Sequence, residues 1–381
     1  MKSAVIIGGS NGIGLAITEQ LLRRGYCTHV LDMVEPAIAH DQLQYHYCNL
    51  LELDEEQITR FAENPDVEFL MLTAGIGRVA DFGDHHTVEV KKIMQINATA
   101  QLTILRLFYD RIKGKEPFYC GIMGSIAGHV SSPMLSIYSA SKAAVCRAVE
   151  GINIELESSG TGNRILDISP GSIEGTKFNG GENNLSILEE LAQDIIARIY
   201  NGETLYIPNG EVYNGVIARY QEDAHTFGMS SYAYKQQSGR ARASTIKVGY
   251  LSGTFDLFHI GHLNLLHRAK QHCDYLIVGV HPSAAHKGKE TFIPFEERKA
   301  VVAACRYVDK VVTSCPEDDD AWDKWHYDRL FVGSDYKGTP RFNRYEEYFK
   351  DKGVEIVYFP YTTTTSSTQI RDQISNQLEE K

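Results

Sequence analysis

A tyrosine and a lysine four residues apart, Tyr138 and Lys142, are the first side chains in this sequence with evident chemistry. On a helix, residues at this spacing lie on the same face. A fixed cation beside a phenol stabilises the phenolate and lowers the tyrosine pKa, so the pair can exchange a proton with a carbonyl or alcohol oxygen. Solvated helix faces also show this spacing by chance. The pair therefore predicts acid–base chemistry only where other parts of a site accompany it.

Glycines directly after the first apolar run supply a second part of such a site. Gly8, Gly12 and Gly14 lie between a short β-branched segment and a helix-like stretch. At a strand-to-helix turn, glycines let the backbone approach a pyrophosphate, whose charge meets the positive end of the helix. A tight turn without a ligand is the alternative.

Two histidines in the last third of the chain, His259 and His262, form a separate group. They follow Gly-Thr-Phe-Asp at positions 253–256 and have a glycine between them. At a strand-to-helix turn, this spacing lets both rings face one phosphate, whereas a zinc protease needs histidines at i and i+4 with a glutamate base. The pattern predicts a nucleotide phosphate site, although an isolated pair of this kind is more often surface or core histidine.

The elements that must position these residues form two successive α/β patterns. From residue 3 to about residue 220, short apolar runs alternate with helical stretches, which predicts βαβ units and a parallel sheet. Residues 221–245 are polar and predict a linker, and a second α/β pattern starts at residue 246. We therefore predict a Rossmann-type doubly wound parallel sheet over residues 1–220 and a second, smaller Rossmann-like α/β domain over residues 246–381. The clearest predicted strands are residues 4–7, 28–31, 69–72, 119–123, 165–168 and 247–251.

Residues 1–220 resemble the short-chain dehydrogenase/reductase family in the glycine spacing, in the tyrosine–lysine pair and in a serine thirteen residues before the tyrosine. The resemblance implies a catalytic tetrad of Asn97, Ser125, Tyr138 and Lys142. Asn97 continues an apolar helical stripe, where a polar side chain is costly unless its hydrogen bonds are satisfied. A structural core amide is the alternative for Asn97, and the family uses this residue partly in that way.

The same resemblance implies a nicotinamide cofactor. Asp32 ends the second predicted strand, where the family often holds the adenosine ribose with a carboxylate. Such a charge repels a 2′-phosphate, so NAD(H) is favoured over NADP(H), and a plain turn residue is the alternative. Asn49-Leu50 and Leu72-Thr73 depart from the family pattern. The implied cofactor-binding residues are Gly8, Ser10, Asn11, Gly12, Ile13, Gly14, Asp32, Asn49, Leu50, Ala74, Gly75, Pro170, Gly171, Ile173 and Thr176.

Residues 246–375 resemble the cytidylyltransferases, most closely those of the glycerol-3-phosphate type. Besides the histidine motif, the matches include Glu-Arg-Lys at positions 297–299 and a Thr-Ser-Ser-Thr run at positions 365–368. The resemblance implies in-line attack by an acceptor phosphate on the α-phosphorus of CTP, with His259 and His262 on the phosphates and Asp256 on a bridging Mg²⁺. The implied nucleotide- and substrate-binding residues are Gly253, Thr254, Phe255, Lys287, Lys289, Arg298, Asp335, Ser366, Ser367 and Thr368.

Three parts of this second assignment have plainer alternatives. The two lysines are otherwise a solvated pair, and a serine–threonine run is usually a flexible turn. Tyr361 stands where the family has arginine, so recognition at this corner differs from the family pattern.

Composition limits the classes of partner. The formal net charge of −11 argues against a general binder of nucleic acid or anionic membranes. Neither a signal peptide nor a stretch of the ~20 apolar residues that span a membrane is evident, so we expect a cytoplasmic enzyme. The seven cysteines form no CxxC pair, which argues against zinc and disulfides. Because such folds commonly associate through helix packing, we expect a homo-oligomer.

Together, the two resemblances predict a bifunctional enzyme. The first domain would reduce a ketose or aldose phosphate with NAD(P)H, and the second would convert the alditol phosphate to a CDP-alditol for cell-surface polymers. Little sequence after Pro170 is left for a substrate lobe, which indicates a small polar substrate. The alternatives are a dehydrogenase domain that oxidises or epimerises, and an adenylyl- or cytidylyltransferase with a regulatory or structural dinucleotide-binding domain.

Overall fold

A computed structural model of the chain describes residues 2–176, 178, 182–284, 290–360 and 370. The chain divides into two units, Met1–Ser244 and Thr245–Lys381. Each is an α/β unit built on a parallel sheet, which confirms the predicted fold class. In the described part of the chain, no helix combines the length and the apolar character that crossing a membrane requires.

The first unit is a seven-stranded sheet with strand order β3-β2-β1-β4-β5-β6-β7. Its elements are β1 (Ser3–Ile7), α1 (Gly12–Arg23), β2 (Cys27–Asp32), β3 (Leu43–Tyr47), α2 (Glu55–Glu63), β4 (Val67–Leu72), α3 (Thr87–Met94), α4 (Ala100–Lys113), β5 (Tyr119–Met123), α5 (Ser136–Ser158), β6 (Ile165–Ile168), α6 (Leu185–Tyr200), β7 (Leu205–Tyr206), α7 (Gly210–Glu222) and α8 (Ala224–Gln237).

Helices cover both faces of this sheet. The central strand β1 is buried at every position, as expected for a parallel strand packed on two sides. Side chains from α2, α4 and α5 form the core on one face, and side chains from α1 and α6 form it on the other. The strand order reverses between β1 and β4, and open α/β sheets bind ligands in the crevice at such a switch point.

Residues 221–245 differ from the predicted linker, because most of them form helix α8 within the first unit. The Asp223 carboxylate caps this helix by accepting the Thr226 N–H. The Lys235 ammonium donates to Ser132 Oγ at 2.6 Å and to the Pro133 carbonyl at 2.7 Å. None of the α7 and α8 residues is fully buried, which explains their polar composition. The first unit therefore extends to Ser244, so it has more residues after Pro170 than the predicted domain, which ends at residue 220.

The second unit is a five-stranded sheet with strand order β10-β9-β8-β11-β12. Its order reverses between β8 and β11, so the ends of these two strands border a second crevice. The stacked Tyr250 and Tyr327 rings, with centroids 5.0 Å apart, belong to its core. Its elements are β8 (Val248–Gly253), α9 (Ile260–Gln271), β9 (Tyr275–Val280), α10 (Phe295–Ala303), β10 (Lys310–Thr313), α11 (Asp318–Trp325), β11 (Arg329–Gly333), α12 (Pro340–Phe349) and β12 (Glu355–Phe359).

Candidate active sites

A cavity of about 580 Å³ lies at the switch point of the first sheet. Tyr138 and Lys142 line it together with most of the residues that the sequence assigns to the cofactor. Those residues are Gly8, Asn11, Gly12, Ile13, Gly14, Asp32, Asn49, Leu50, Ala74, Gly75, Pro170, Gly171, Ile173 and Thr176.

The glycine turn before α1 is packed too closely for side chains at Gly8 and Gly14. Gly8 has φ +85°, and a Cβ on Gly14 would overlap the Gly8 carbonyl oxygen. The Gly12 N–H, at the start of α1, donates to the Asn183 amide oxygen at 3.0 Å. A pyrophosphate oxygen predicted at this N–H would take the place of the Asn183 amide oxygen.

Asp32 and Ser10 have different roles at the other end of the turn. The Asp32 carboxylate lines the cavity and accepts the Met33 N–H at 2.7 Å and the Ser10 N–H at 3.1 Å. Ser10 does not fit the predicted cofactor contact, because its buried hydroxyl donates to the Val34 carbonyl and is not part of the cavity wall. Ser10 therefore supports the loop that holds Asp32.

Tyr138, Lys142 and Ser125 come together at the carboxyl ends of the central strands. The Lys142 ammonium lies 5.9 Å from the centre of the Tyr138 ring and donates to the Met123 carbonyl at 2.7 Å. Ser125 follows β5, and its buried hydroxyl accepts the Ala127 N–H at 3.2 Å and lies close enough to the Tyr138 phenol to lower its pKa. The Phe178 ring, 5.3 Å from the tyrosine ring, covers it on another side. A carbonyl oxygen between Ser125 and Tyr138 would meet two hydroxyl groups.

Burial has the largest effect on the pKa values of Tyr138 and Lys142. It raises the pKa of Tyr138 to about 12, and the nearby Ser125 hydroxyl offsets the increase only in part. Burial also lowers the pKa of Lys142 to about 8. Burial therefore outweighs the lowering of the phenol pKa that the lysine neighbour predicts, because the loss of hydration disfavours both charged forms. A protonated phenol is the form that donates a proton to a carbonyl oxygen.

Asn97 is a fully buried amide on a single π-helical turn, Gln95–Thr99. Its oxygen accepts the Ile76 N–H at 2.9 Å, and its NH₂ group donates to the Ile76 carbonyl at 2.8 Å and to Ser141 Oγ at 3.0 Å. These contacts match the structural alternative for Asn97. They fix the backbone after β4 close to Lys142, since a Cβ on Gly75 would lie 3.5 Å from Asn97 Oδ1 and 3.4 Å from Lys142 Nζ.

A polar network whose residues form no recognisable sequence motif lies close to Lys142. Potential ligand atoms of His129, Cys146 and Asp167 lie within 4.8 Å of one another. The Ser169 hydroxyl lies among them, donating to Asp167 Oδ1 at 2.8 Å and lying 3.0 Å from His129 Nε2 and 3.7 Å from Cys146 Sγ. A hydroxyl thus links these residues as a hydrogen-bonded network.

The two histidines of the second unit lie where α9 begins, after strand β8. His259 Nδ1 accepts the Gly261 N–H at 3.0 Å, and His262 Nδ1 accepts the His259 N–H at 3.4 Å. These bonds assign the neutral tautomer with the proton on Nε2 to both rings. Burial lowers the pKa of His259, which also favours the neutral form. Two ring N–H donors, with ring centroids 4.0 Å apart, thus stand at the positive end of a helix.

Thr254, between strand β8 and the histidines, has a buried hydroxyl that lacks a hydrogen-bond partner among the described residues. Buried polar atoms are rarely left unpaired, so this hydroxyl fits a ligand oxygen. The Phe255 side chain is buried, and its backbone has φ +53°. Asp335 lies exposed in the turn after β11, on the other side of the crevice, while Gly253 ends strand β8.

Two residues with predicted ligand contacts in this unit have protein partners in the structure. Asp256 is 3% exposed, and its two carboxylate oxygens accept the Phe292 and Ile293 N–H groups at 3.0 Å each. A carboxylate occupied in this way does not fit the predicted metal ligand. Arg298 is 1% exposed and donates only to backbone carbonyl groups, so it does not fit the predicted nucleotide contact.

Arg298 instead holds three chain segments together, so its replacement should destabilise the unit. Its guanidinium donates to the carbonyls of Ile293, His281 and Pro282 at 2.9 Å each and to that of Thr254. Leaving buried acceptors unpaired costs about 1–3 kcal/mol each. We expect Arg298→Met to lower the free energy of unfolding of the second unit by at least about 3 kcal/mol.

Tryptophan fluorescence during urea unfolding measures this loss in the second unit alone, because the chain has two tryptophans, Trp322 and Trp325, and both lie there. Lys299→Met, on the same helix, is the matched control and should change the unfolding free energy by less than about 1 kcal/mol. Arg298→Met with wild-type stability but weakened CTP binding would support the original contact with nucleotide.

Five residues assigned to the nucleotide site from the sequence lie outside the described residues. They are Lys287, Lys289, Ser366, Ser367 and Thr368.

Comparisons with known proteins identify both units. Residues 2–184 match the short chain dehydrogenase family model, and residues 250–373 match the cytidylyltransferase-like model. The glycerol-3-phosphate cytidylyltransferase of Bacillus subtilis is 36% identical over 132 residues, which are 32% of this chain and 93% of that protein. The dehydrogenase RED2 of Cochliobolus heterostrophus is 29% identical over 160 residues, which are 40% of this chain and 60% of that protein.

A solved short-chain dehydrogenase from Burkholderia cenocepacia, in complex with NADP, is 22% identical, with a TM-score of 0.48; the match covers 58% of this chain and 95% of that one. The family matches confirm both resemblances found in the sequence, and cytidylyltransferase homology implies CTP and a phosphorylated substrate. The chain therefore has a short chain dehydrogenase domain in its first unit, belongs to the cytidylyltransferase family through its second, and is a bifunctional enzyme.

Proposed function

We propose that the first unit reduces a ketose or aldose phosphate to an alditol phosphate with NADH, and that the second transfers CMP from CTP to that product. The products are a CDP-alditol of the CDP-glycerol or CDP-ribitol type and pyrophosphate, for the synthesis of cell-surface polymers. One observation carries the proposal: a carbonyl-reducing type of site and a relative of glycerol-3-phosphate cytidylyltransferase are joined in one chain. A reductase makes the kind of phosphorylated alcohol that such a transferase consumes.

In the reductase, the side chains supply proton transfer and orientation. The substrate carbonyl oxygen would accept hydrogen bonds from Ser125 and Tyr138, and the neutral phenol would donate the proton as the carbonyl becomes an alcohol. Lys142 lies beside the ring and would stabilise the phenolate that remains. Asn97 would position this group through the Ile76 backbone. Bound NADH would supply the hydride.

In the transferase, an oxygen of the alditol phosphate would attack the α-phosphorus of CTP, and the bond from that phosphorus to the pyrophosphate oxygen would break. The Nε2–H groups of His259 and His262 would donate to phosphate oxygens as negative charge grows on the leaving group. Thr254 offers a further hydroxyl. Because Asp256 does not fit a metal ligand, no step here depends on a metal held by it.

Two assays test this proposal. A panel of ketose and aldose phosphates with NADH should give loss of NADH absorbance for at least one member. The alditol phosphate formed should then release pyrophosphate with CTP at least about a hundredfold faster than with ATP, a difference of about 2.7 kcal/mol. Faster release with ATP would favour an adenylyltransferase. No NADH oxidation with any member, despite NADH binding, would favour a regulatory or structural dinucleotide-binding domain.

We further propose that Asp32 makes the reductase prefer NADH to NADPH. Its carboxylate lines the cavity at the end of β2, where it would repel a 2′-phosphate. Asp32→Asn removes the charge and keeps one acceptor oxygen, which can pair with either the Ser10 or the Met33 N–H group. We expect the ratio of kcat/KM for NADH to that for NADPH to fall by about tenfold or more, or about 1.4 kcal/mol.

Glu35→Gln is the matched control for Asp32, because Glu35 is an exposed acid after the same strand and lies outside the cavity wall. It should leave the cofactor ratio unchanged. If the ratio of kcat/KM for NADH to that for NADPH is unchanged in Asp32→Asn, Asp32 is a turn residue without a role in cofactor selection.

A further inference from the structure

Arg242 lines the dinucleotide cavity although it belongs to the segment that the sequence predicts as a linker. Among the described residues, the charged side chains in the wall of this cavity are Asp32, Lys142 and Arg242. Asp32 carries the proposed ribose contact and Lys142 accompanies the catalytic phenol. Arg242 is therefore a charge in this wall to which the proposed reaction gives no role.

The backbone of Arg242 is held by a buried ion pair. Its N–H donates to the Val79 carbonyl at 2.9 Å, and its carbonyl accepts from Arg78 Nη1 at 2.7 Å. Arg78 is 9% exposed and forms a two-bond pair with Glu89, at 2.6 and 2.8 Å. Paired arginine and carboxylate groups of this kind have a fixed geometry. The segment that carries Arg242 is thus attached at one defined point.

That point lies on the tyrosine side of the cavity. Gly77 directly precedes Arg78, and a Cβ on Gly77 would lie 2.8 Å from Cδ2 of Tyr138. Asp32 ends β2, on the other side of β1 and β4 from the strands that lead to the tyrosine. Arg242 therefore stands at the substrate end of the cavity, away from the end where the adenosine would lie.

The guanidinium of Arg242 is available for a ligand. The side chain is exposed, and no described residue pairs with it through an ion pair or a side-chain hydrogen bond. A guanidinium presents donors in a rigid fork that matches the oxygens of a phosphate or carboxylate. In a cavity wall otherwise formed largely by apolar and backbone groups, such a donor is the natural partner for an anionic part of the substrate.

We infer that Arg242 binds the phosphate group of the reductase's carbonyl substrate and so selects phosphorylated substrates over neutral ones. The inference rests on the proposed reductase function and gives it a specificity-determining residue. The phosphate would be held by the segment after α8, while the carbonyl group meets Ser125 and Tyr138. The substrate would thus span the distance between an anion contact and a proton donor.

Arg242→Gln tests the inference, with Arg240→Gln as the matched control, since Arg240 is an exposed arginine of the same segment outside the cavity wall. We expect Arg242→Gln to lower kcat/KM for the active sugar phosphate by about tenfold to a hundredfold, mainly through KM, because a hydrogen bond to a charged group contributes about 1.5–3 kcal/mol. Activity on the same sugar without its phosphate should change less than about twofold, and Arg240→Gln should match the wild type in both assays. Equal losses on both sugars, or no loss on either, would overturn the inference.

A second readout does not depend on turnover. Inorganic phosphate should change the fluorescence of NADH bound to the wild type, and its apparent Kd should rise by about tenfold or more in Arg242→Gln. An unchanged Kd would overturn the inference even where the reductase function stands. Conversely, Arg242-dependent phosphate binding in a protein that reduces no sugar phosphate would keep the anion site and overturn the proposed substrates.

Discussion

Replacement of Tyr138 by phenylalanine is expected to lower kcat for reduction of the sugar phosphate by about 10²–10⁴-fold. The change removes only the hydroxyl that would donate the proton, while the ring keeps its place beside Phe178 and Gly77. Steady-state loss of NADH absorbance measures the effect. NADH binding, followed by fluorescence titration, should change less than about threefold, because the phenol does not form the phosphate or ribose contacts.

Two controls make the result specific. Tyr109→Phe removes a hydroxyl on α4 that lies outside the cavity wall, and it should leave both activities at wild-type levels. Cytidylyl transfer should be normal in Tyr138→Phe, since the second unit has its own site. Full reductase turnover by Tyr138→Phe would show that the dinucleotide domain does not act through this tyrosine and would revive a regulatory role.

The second large effect is expected from the histidines. Removing one ring N–H donor, in His262→Ala or His259→Asn, should lower kcat for cytidylyl transfer by about 10²–10³-fold, because such donors act where charge develops. Asparagine at position 259 keeps a side-chain acceptor for the start of α9, so loss of the helix cap does not confuse the result. Pyrophosphate release from CTP and an alditol phosphate measures the rate.

His267→Ala is the matched control for these two variants. His267 is exposed on the same helix and stacks on Tyr307, so its loss should change the transfer rate less than about twofold. Reduction of the sugar phosphate should be unaffected in all three variants. Wild-type transfer in both His262→Ala and His259→Asn would exclude the histidine pair from the reaction.

The parts of the molecule that the sequence predicts best are those with strong local patterns. The glycine turn after β1 and the histidine turn after β8 each join an apolar run to a helix, and both lie at switch points of the sheets. The predicted strands of the first sheet appear because buried parallel strands are near-continuous apolar runs. Side-chain type and spacing were sufficient to find Tyr138, Lys142 and most of the cavity wall.

Residues whose role depends on tertiary contacts were not predictable in this way. Asp256 and Arg298 stand in motifs shared with cytidylyltransferases, but a motif does not reveal that a carboxylate caps backbone N–H groups or that a guanidinium faces carbonyls. Burial reverses the expected pKa shift of Tyr138, and burial is not visible in the spacing of two residues. Arg242 lies in a polar segment whose composition is typical of a linker. The positive charges of Arg240 and Arg242 are the features of that segment that indicate an anion contact.

If the two sites act in series, deuterium from labelled NADH should appear in the CDP-linked product. The enzyme is incubated with CTP, the sugar phosphate that it reduces, and NADH dideuterated at C4 of the nicotinamide. We predict that the isolated CDP-alditol carries one deuterium on the former carbonyl carbon. No CDP-alditol should form when NADH is left out. A CDP-linked product without deuterium, or one that forms equally well without NADH, would contradict the account.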